Sequence, residues 1–484
     1  MSGEKIKDFD EITSFLGVYG FFQILIIVLL NLSAIACGYT GMIMIFVSDT
    51  PEHHCKVSIN SKHNRAPSND TEQCLDGWVF STEIYTATIV SEWDLVCDNA
   101  WMVPFTTSLF FVGVLIGSFI SGHLSDRFGR KPVFFFTMAI QTVTPLIQAT
   151  SVSWVMFCIL NCLRGLGQIS NYITSLILGE TAYTPLWFSK DLGFGVGYAL
   201  LPIFAYFIRG WRMLLVASAI PGFLFIPTWW VIPESPRWLL QKGRVEEAES
   251  VIRAAAKRNK VPVPEIIYRQ NKSEDEQTYT YLDLIRTPNM RNITILSVFI
   301  WIATSMVFYG LSLNTSNLNG NMYLTCFISA AIDIVVYVAT WLLVNRVSRP
   351  TFLCSALMFC GIMLLIIKLV PEDMDVMFQV FAFAGKIGVS AAFSFIFLFF
   401  TELIPTVVRN MGLAIASTAA RIGTIICPYV IYMGKCFLVL TVVVVVIMAA
   451  VVSIWLPDTR NSKLPDLISQ AKRIRGCVAV CENV

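Results

Sequence analysis

Two charged side chains stand deep inside apolar runs. Asp333 lies at the centre of Ile328-Ser329-Ala330-Ala331-Ile332-Asp333-Ile334-Val335-Val336-Tyr337, and Arg421 at the centre of Thr418-Ala419-Ala420-Arg421-Ile422-Gly423. A charge at the middle of a bilayer costs about 2.5 to 3.5 kcal/mol on insertion scales, so each must face protein or a watery cavity. One negative and one positive centre at similar depth suit a zwitterion: the guanidinium forks onto a carboxylate and the aspartate lies near an ammonium. The alternative is that the two pair with each other. Gln168, Asn171, Tyr172 and Ser175 add a neutral stripe at the i, i+3, i+4, i+7 spacing of one helical face, and Gln141 is a further amide in the preceding apolar run. Such groups turn towards a cavity, or bond between helices at about 1 kcal/mol per contact; the cavity is the preferred reading.

The elements that carry these residues follow from composition. The chain has 484 residues, 55% hydrophobic and 14% charged, with a mean hydropathy of +0.65. That excludes a soluble domain with a polar coat. About 20 apolar residues cross the hydrocarbon layer, and only helices satisfy their backbone there. Twelve spans are expected, over 18–46, 101–123, 132–150, 153–178, 191–208, 211–232, 293–313, 322–344, 350–370, 375–400, 410–432 and 435–456. The first has no cleavage-site pattern and reads as a retained helix. A net charge of +2 leaves no basic excess for a nucleic acid. No phosphate-binding glycine loop is present for a nucleotide motor, and no Ser-His-Asp or Cys-His constellation for an enzyme.

Loop charge sets the expected topology. The stretch 47–100 is acidic, contains the glycosylation acceptor Asn69-Asp70-Thr71 and reads as outside; 233–292 is rich in Lys and Arg and reads as cytoplasmic. The domains are then a cytoplasmic N-terminus 1–17, a six-helix half 18–232, the linker 233–292, a second half 293–456 and a tail 457–484, with both termini cytoplasmic. Cys55, Cys74 and Cys97 share the outer loop, and three cysteines imply one bridge and a leftover thiol, with connectivity open. His53, His54 and His63 match no metal-ligand spacing, so no metal is expected. The charged segment 243–260 reads as a short helix bracing the cytoplasmic side.

The halves repeat. Asp126-Arg127-Phe128-Gly129-Arg130-Lys131 answers Asn345-Arg346-Val347-Ser348-Arg349-Pro350, and Pro233-Glu234-Ser235 answers Pro457-Asp458-Thr459. Two such halves around a midplane site are the repeat logic of secondary transporters. The string from Gly122 to Lys131 reads as a latch at a helix-helix turn, with Gly122 and Gly129 allowing close approach and Asp126, Arg127 and Arg130 pairing across helix ends.

This Gly122-His123-Leu124-Ser125-Asp126-Arg127-Phe128-Gly129-Arg130-Lys131 string resembles the signature loop of the major facilitator superfamily. With Pro233-Glu234-Ser235-Pro236-Arg237-Trp238-Leu239, Thr401-Glu402-Leu403-Ile404-Pro405-Thr406-Val407-Val408-Arg409-Asn410-Met411-Gly412 and Gln168-Ile169-Ser170-Asn171-Tyr172, nearly the whole chain resembles the carnitine/organic cation branch of solute carrier family 22. The resemblance implies an all-α membrane protein of twelve helices in the plasma membrane, carrying small organic cations or zwitterions by alternating access. It implies substrate contact at Arg421, which is typically acidic in cation-only relatives, and aromatic faces for a quaternary ammonium at Tyr309 and Phe393. Glu402 looks like a gating or cation-coupling residue, or an ion-pair partner of Arg409 or another base, and Arg409 joins the latch. Sodium is the coupling ion it admits; no cofactor is expected. Cys37-Gly38 stands where the carnitine branch usually has Asn-Gly. The stretch after Gly179 is shorter than the family's and leaves span five near minimal length, while Gly434-Lys435 is almost the whole link between spans eleven and twelve. The C-terminal Glu482-Asn483-Val484 offers itself to a cytoplasmic peptide-binding domain, and Cys477 and Cys481 to palmitate.

Overall fold

The computed structural model describes residues 20–56, 74, 77–178, 186–262, 280–317, 320–344, 346–371, 374–433, 435–460, 465, 468–472 and 474. Asn69, Glu180, Gly434, Cys477, Cys481 and the terminal Glu482-Asn483-Val484 lie outside them. Twelve long helices follow in order: α1 Phe21–Met42, α2 Met102–Phe128, α3 Arg130–Gln148, α4 Trp154–Leu178, α5 Leu186–Phe207 and α6 Trp211–Leu224, then α7 Pro288–Leu313, α8 Met322–Leu343, α9 Arg349–Ile367, α10 Asp375–Leu403, α11 Arg409–Tyr432 and α12 Lys435–Trp455. Proline at the first turn starts α7 and α9, where its missing N–H costs nothing. The Asn321 side chain caps α8 by accepting from the Tyr323 and Leu324 amides.

Among the described residues, eight helices are apolar enough on their own to cross a bilayer. The weaker ones include α3, α4 and α5, which carry Gln141, Gln168, Asn171, Lys190 and Asp191, all pointing into protein. α1 shows the rule: Phe21, Ile24, Val28 and Leu32 form an exposed stripe while Leu30, Ser33, Ala34 and Cys37 are buried. Lipid is as apolar as leucine, so the small and polar face is the one that packs. α2 and α4 meet backbone to backbone, because a Cβ on Gly113 would strike the Cys162 carbonyl and one on Gly165 the Phe110 carbonyl.

Packing is two-fold symmetric. Within the halves α1–α5 matches α7–α11, α3–α4 matches α9–α10, and α2–α4 matches α8–α10; between them α5–α8 matches α2–α11. The end carrying the long loop is closed: Phe46 stacks on Tyr323 at 5.7 Å, and the Tyr323 hydroxyl donates to the Ile84 carbonyl at 3.0 Å. Tyr85 donates to the Met322 sulfur, and burial, with Asp49 close by, holds its phenol well above the ordinary range and so protonated. In this loop β1 (His53–Cys55) pairs antiparallel with β2 (Trp78–Phe80), a Cys55–Cys74 disulfide ties them, and Cys97 is free and exposed. At the opposite end a helix over Val245–Asn259 docks under the first half, where the Asn259 carboxamide accepts from Phe22 N–H at 2.9 Å and donates to Gln23 at 2.8 Å.

Several boundaries differ from expectation: α2 ends at Phe128 and not at 123, α6 at Leu224 and not at 232, and α7 begins at Pro288 and not at 293. Span five begins at Leu186, not at 191, and α5 is 22 residues long. Lys190 and Asp191 lie inside the helix, Lys190 buried and Asp191 half-buried.

Candidate functional site

The expected neutral stripe is folded into one cluster inside the first half. Gln168 Nε2 donates to the Cys37 carbonyl at 2.8 Å, Gln141 Nε2 to Thr40 Oγ1 at 3.2 Å, and Asn171 Nδ2 to the Phe134 carbonyl at 3.4 Å. The Cys37 thiol lies 3.8 Å from both Gln141 Oε1 and Asn171 Oδ1. All of these residues are buried, as is Ser175, which donates to the Tyr172 carbonyl. The amides therefore join α1, α3 and α4, where the cavity reading had turned them towards substrate. Tyr172 alone of the stripe is half-buried.

In the second half Asp333 is joined to Lys386, not to Arg421. Lys386 Nζ stands 3.2 Å from Asp333 Oδ2, donates to Ser312 Oγ at 2.8 Å, and lies 5.0 Å from the ring centre of Tyr198, which α5 extends from the other half. Ser390 donates to Asp333 Oδ1 at 2.6 Å. Both charges are almost fully buried, at 1% and 2% exposure. A cavity of about 40 Å³ reaches Lys386 beside Asn314, Thr315 and Ser329, large enough for a few waters.

Between the halves the groups are less completely matched. Among the described residues Arg421 has no hydrogen-bonding partner for its buried Nε, and its guanidinium lies within electrostatic range of the Tyr172 phenol. The Asp191 carboxylate accepts from Ser394 on α10 at 3.1 Å, and the Tyr172 phenol on α4 lies within electrostatic range of it. Aromatic rings pack across the seam: Tyr309 meets Phe111 of the first half at 5.1 Å and Phe393 at 6.4 Å, and Phe393 stacks on Phe308 at 4.5 Å.

The two latches repeat as the sequence does. Gly129 adopts a φ of +107°, a region open to glycine, and turns α2 into α3. Glu234 then accepts from the Arg130 and Lys131 amides at 3.1 Å, capping α3, while the Arg130 guanidinium donates to the Ile177 carbonyl and Ser235 at 3.0 and 3.1 Å. In the second half Asp458 accepts from the Arg349 amide at 3.2 Å, and the Arg349 guanidinium forks onto Glu402 at 2.9 and 3.0 Å. Glu402 also accepts from Thr459 at 2.6 Å. Of the expected latch residues, Asp126 contributes its carbonyl to Trp238 at 3.1 Å, Arg127 is exposed against Phe128, and Gly122 has open space around it. Arg409 opens α11.

Lys386, Lys190, Asp191 and Arg164 escaped the sequence reading, although each carries the signal that singled out Asp333, a charge within an apolar run. Lys190 Nζ donates to the Leu30 carbonyl at 3.3 Å and to Ser175. Arg164 lies buried 5.1 Å over the Phe110 ring, and its guanidinium nitrogens have no partner among the described residues.

Residues 25–467 match the family model described as sugar (and other) transporter. The chain belongs to that family, in its solute carrier family 22 branch. It is 42% identical to human organic cation/carnitine transporter 2 over 97% of this chain and 95% of that one. It is 40% identical to mouse solute carrier family 22 member 21, over 97% and 94%. To an organic cation transporter protein of Drosophila melanogaster it is 33% identical, over 96% and 94%. The fold is that of the major facilitator superfamily. The xylose transporter of E. coli superposes in its inward open form with a TM-score of 0.62 at 14% identity, covering 93% of this chain and all of that one. Its partially occluded inward open form gives 0.64 at 16% identity, covering 92% and all of that chain. The solute carrier chain is thus a multi-pass membrane transporter, in a family of carriers and not of enzymes.

Proposed function

We propose that this chain is a plasma-membrane secondary transporter of small organic cations and zwitterions, carnitine-like compounds first, working by alternating access. The observation that carries the proposal is Arg421: a guanidinium whose buried Nε has no hydrogen-bonding partner among the described residues, within electrostatic range of the Tyr172 phenol of the other half, while the rings of Tyr309 and Phe393 meet at 6.4 Å between α7 and α10. Such a group suits a substrate carboxylate, and electron-rich rings suit a quaternary ammonium at about 0.5 to 2 kcal/mol each. The names of the relatives point to the same ligands. The symmetric pairing of α5–α8 with α2–α11, closed at the loop end, supports a rocking of the halves, with Glu402 and its Arg349 partner at the latch end as the gate.

Sodium coupling is part of this proposal. A second reading, an uncoupled facilitator, is favoured by Cys37: a thiol stands at the centre of the amide cluster, and sulfur is a poor ligand for a hard cation that prefers oxygen. A third reading, a transport-inactive membrane protein that senses or scaffolds, draws on a shortened fifth span and on the tight link between spans eleven and twelve; the 22 residues of α5 speak against the first of these. The test is uptake of labelled carnitine and tetraethylammonium in cells, with and without sodium, for wild type and Arg421→Ala at matched surface level. Carnitine uptake should fall at least tenfold in the variant. Uptake indifferent to Arg421 would sink the assignment, and sodium-independent uptake would select the facilitator.

A further inference from the structure

We infer that Asp191, the half-buried carboxylate that α5 places between the halves, is the anionic subsite for the ammonium end of the substrate, opposite Arg421. The inference rests on the transporter reading above and assigns its cation subsite.

The charges around the site decide it. Asp333 is closed to a ligand, because Lys386 at 3.2 Å and Ser390 at 2.6 Å already occupy its oxygens. Asp191 is half-buried; the Ser394 hydroxyl on α10 donates to it at 3.1 Å, and no cation pairs with it among the described residues. A hydroxyl orients a carboxylate without supplying a counter-charge, so its oxygens stay open to a mobile cation. Lys190, next along the helix, does not serve as that cation: its ammonium is held within the first half by the Leu30 carbonyl and Ser175. From α4 the site receives Tyr172, from α10 Ser394 and from α11 Arg421, and Tyr337 of α8 stands within electrostatic range.

The pseudo-two-fold supports the pairing of roles. α5 and α11 are equivalent helices, each with one proline near the loop end, Pro202 and Pro428. Asp191 lies eleven residues before its proline and Arg421 seven before its own. At 1.5 Å per residue the carboxylate sits about 6 Å nearer the latch end than the guanidinium. Opposite charges on symmetric helices, one turn apart in depth, form a dipolar slot for a short zwitterion. Because Ser394 belongs to the other half, a cation that takes the Asp191 oxygens competes with a bond joining the halves. Occupancy of the slot thereby acts on the relation of the halves.

The experiment measures binding of labelled tetraethylammonium and of carnitine to the purified full-length chain in detergent, so that turnover is not required. Asp191→Asn keeps the hydrogen-bond acceptor and removes the charge; it should weaken both ligands on the order of tenfold or more, while Asp191→Glu stays within about threefold. Arg421→Ala should weaken carnitine alone. If Asp191→Asn binds both ligands as wild type does while Arg421→Ala loses carnitine, the assignment of Asp191 falls and the transporter reading stands. A well-folded wild type that binds neither overturns both. A second measurement needs no variant: tetraethylammonium should protect Asp191 from dicyclohexylcarbodiimide, read by peptide mass spectrometry. Equal labelling with and without the cation, in protein that binds it, overturns the inference.

Discussion

Inside the first half, Cys37, Thr40, Gln141, Gln168 and Asn171 tie α1, α3 and α4 together through uncharged groups, whereas inside the second Asp333, Lys386, Ser390 and Ser312 tie α7, α8 and α10 through an ion pair. The two solutions fail differently. A neutral network loses one modest bond at a time, because each amide removed leaves its neighbours near other backbone carbonyls. A buried ion pair that loses one member leaves a full charge without compensation. Both clusters are satisfied within their own half, so neither has to break when the halves move. The groups left for a ligand are those on α5 and α11, the helices that line the seam.

The largest effect should come from breaking the pair. Asp333→Ala or Lys386→Ala alone is expected to cost about 3 to 5 kcal/mol, seen as loss of the monodisperse peak and of surface expression. The double variant Asp333→Asn with Lys386→Met should recover most of that loss. A double variant no better than the singles would show that these residues act apart from each other. Next in size is the second latch. Arg349→Ala removes two charge-assisted bonds to a mostly buried Glu402, about 1.5 to 3 kcal/mol each by the usual range for charged partners. Melting temperature should fall and uptake with it. Equal melting of Arg349→Ala and wild type would contradict the geometry. Smaller again is Asn171→Leu in the neutral cluster: about 0.6 to 1.7 kcal/mol, the range measured for interhelical hydrogen bonds in membranes. A melt that drops as far as it does for Lys386→Ala would erase the contrast between the halves.

The fold was readable because lipid makes it so: every expected span overlaps a helix, most ends agreeing within three residues, and the repeated strings around Arg130 and Arg349 occupy equivalent latches. The fifth span failed for a physical reason. Lys190 falls outside the expected span when charge is judged by sequence neighbours, and lies in helix because the Leu30 carbonyl of α1 and Ser175 of α4 accept from its ammonium. The site was legible in kind but not in pairing. Charge within an apolar run marked Asp333 and Arg421, yet which charge meets which depends on helix rotation, and no periodicity in α10 announces that Lys386 turns towards Asp333. The amide stripe was visible at its correct spacing, but spacing gives a face and not what the face meets.

The smallest effect expected on stability is also the sharpest probe of motion. Gly129 is fixed by its positive φ and by Glu234 close to where a Cβ would stand, whereas a Cβ on Gly122, seven residues earlier, meets no atom within 4 Å. In a helix interior alanine is favoured over glycine by roughly 1 kcal/mol, so Gly122→Ala should melt at the wild-type temperature or slightly above it. If the latch end closes in the other half of the transport cycle, the space around Gly122 is filled there, and the added methyl obstructs only that state. Uptake should then fall severalfold with no loss of stability, together with an increase in labelling of latch-end cysteines introduced on α2. Unchanged uptake would mean that the helices stay apart at this point throughout the cycle, and would leave Gly129 as the glycine that the latch requires.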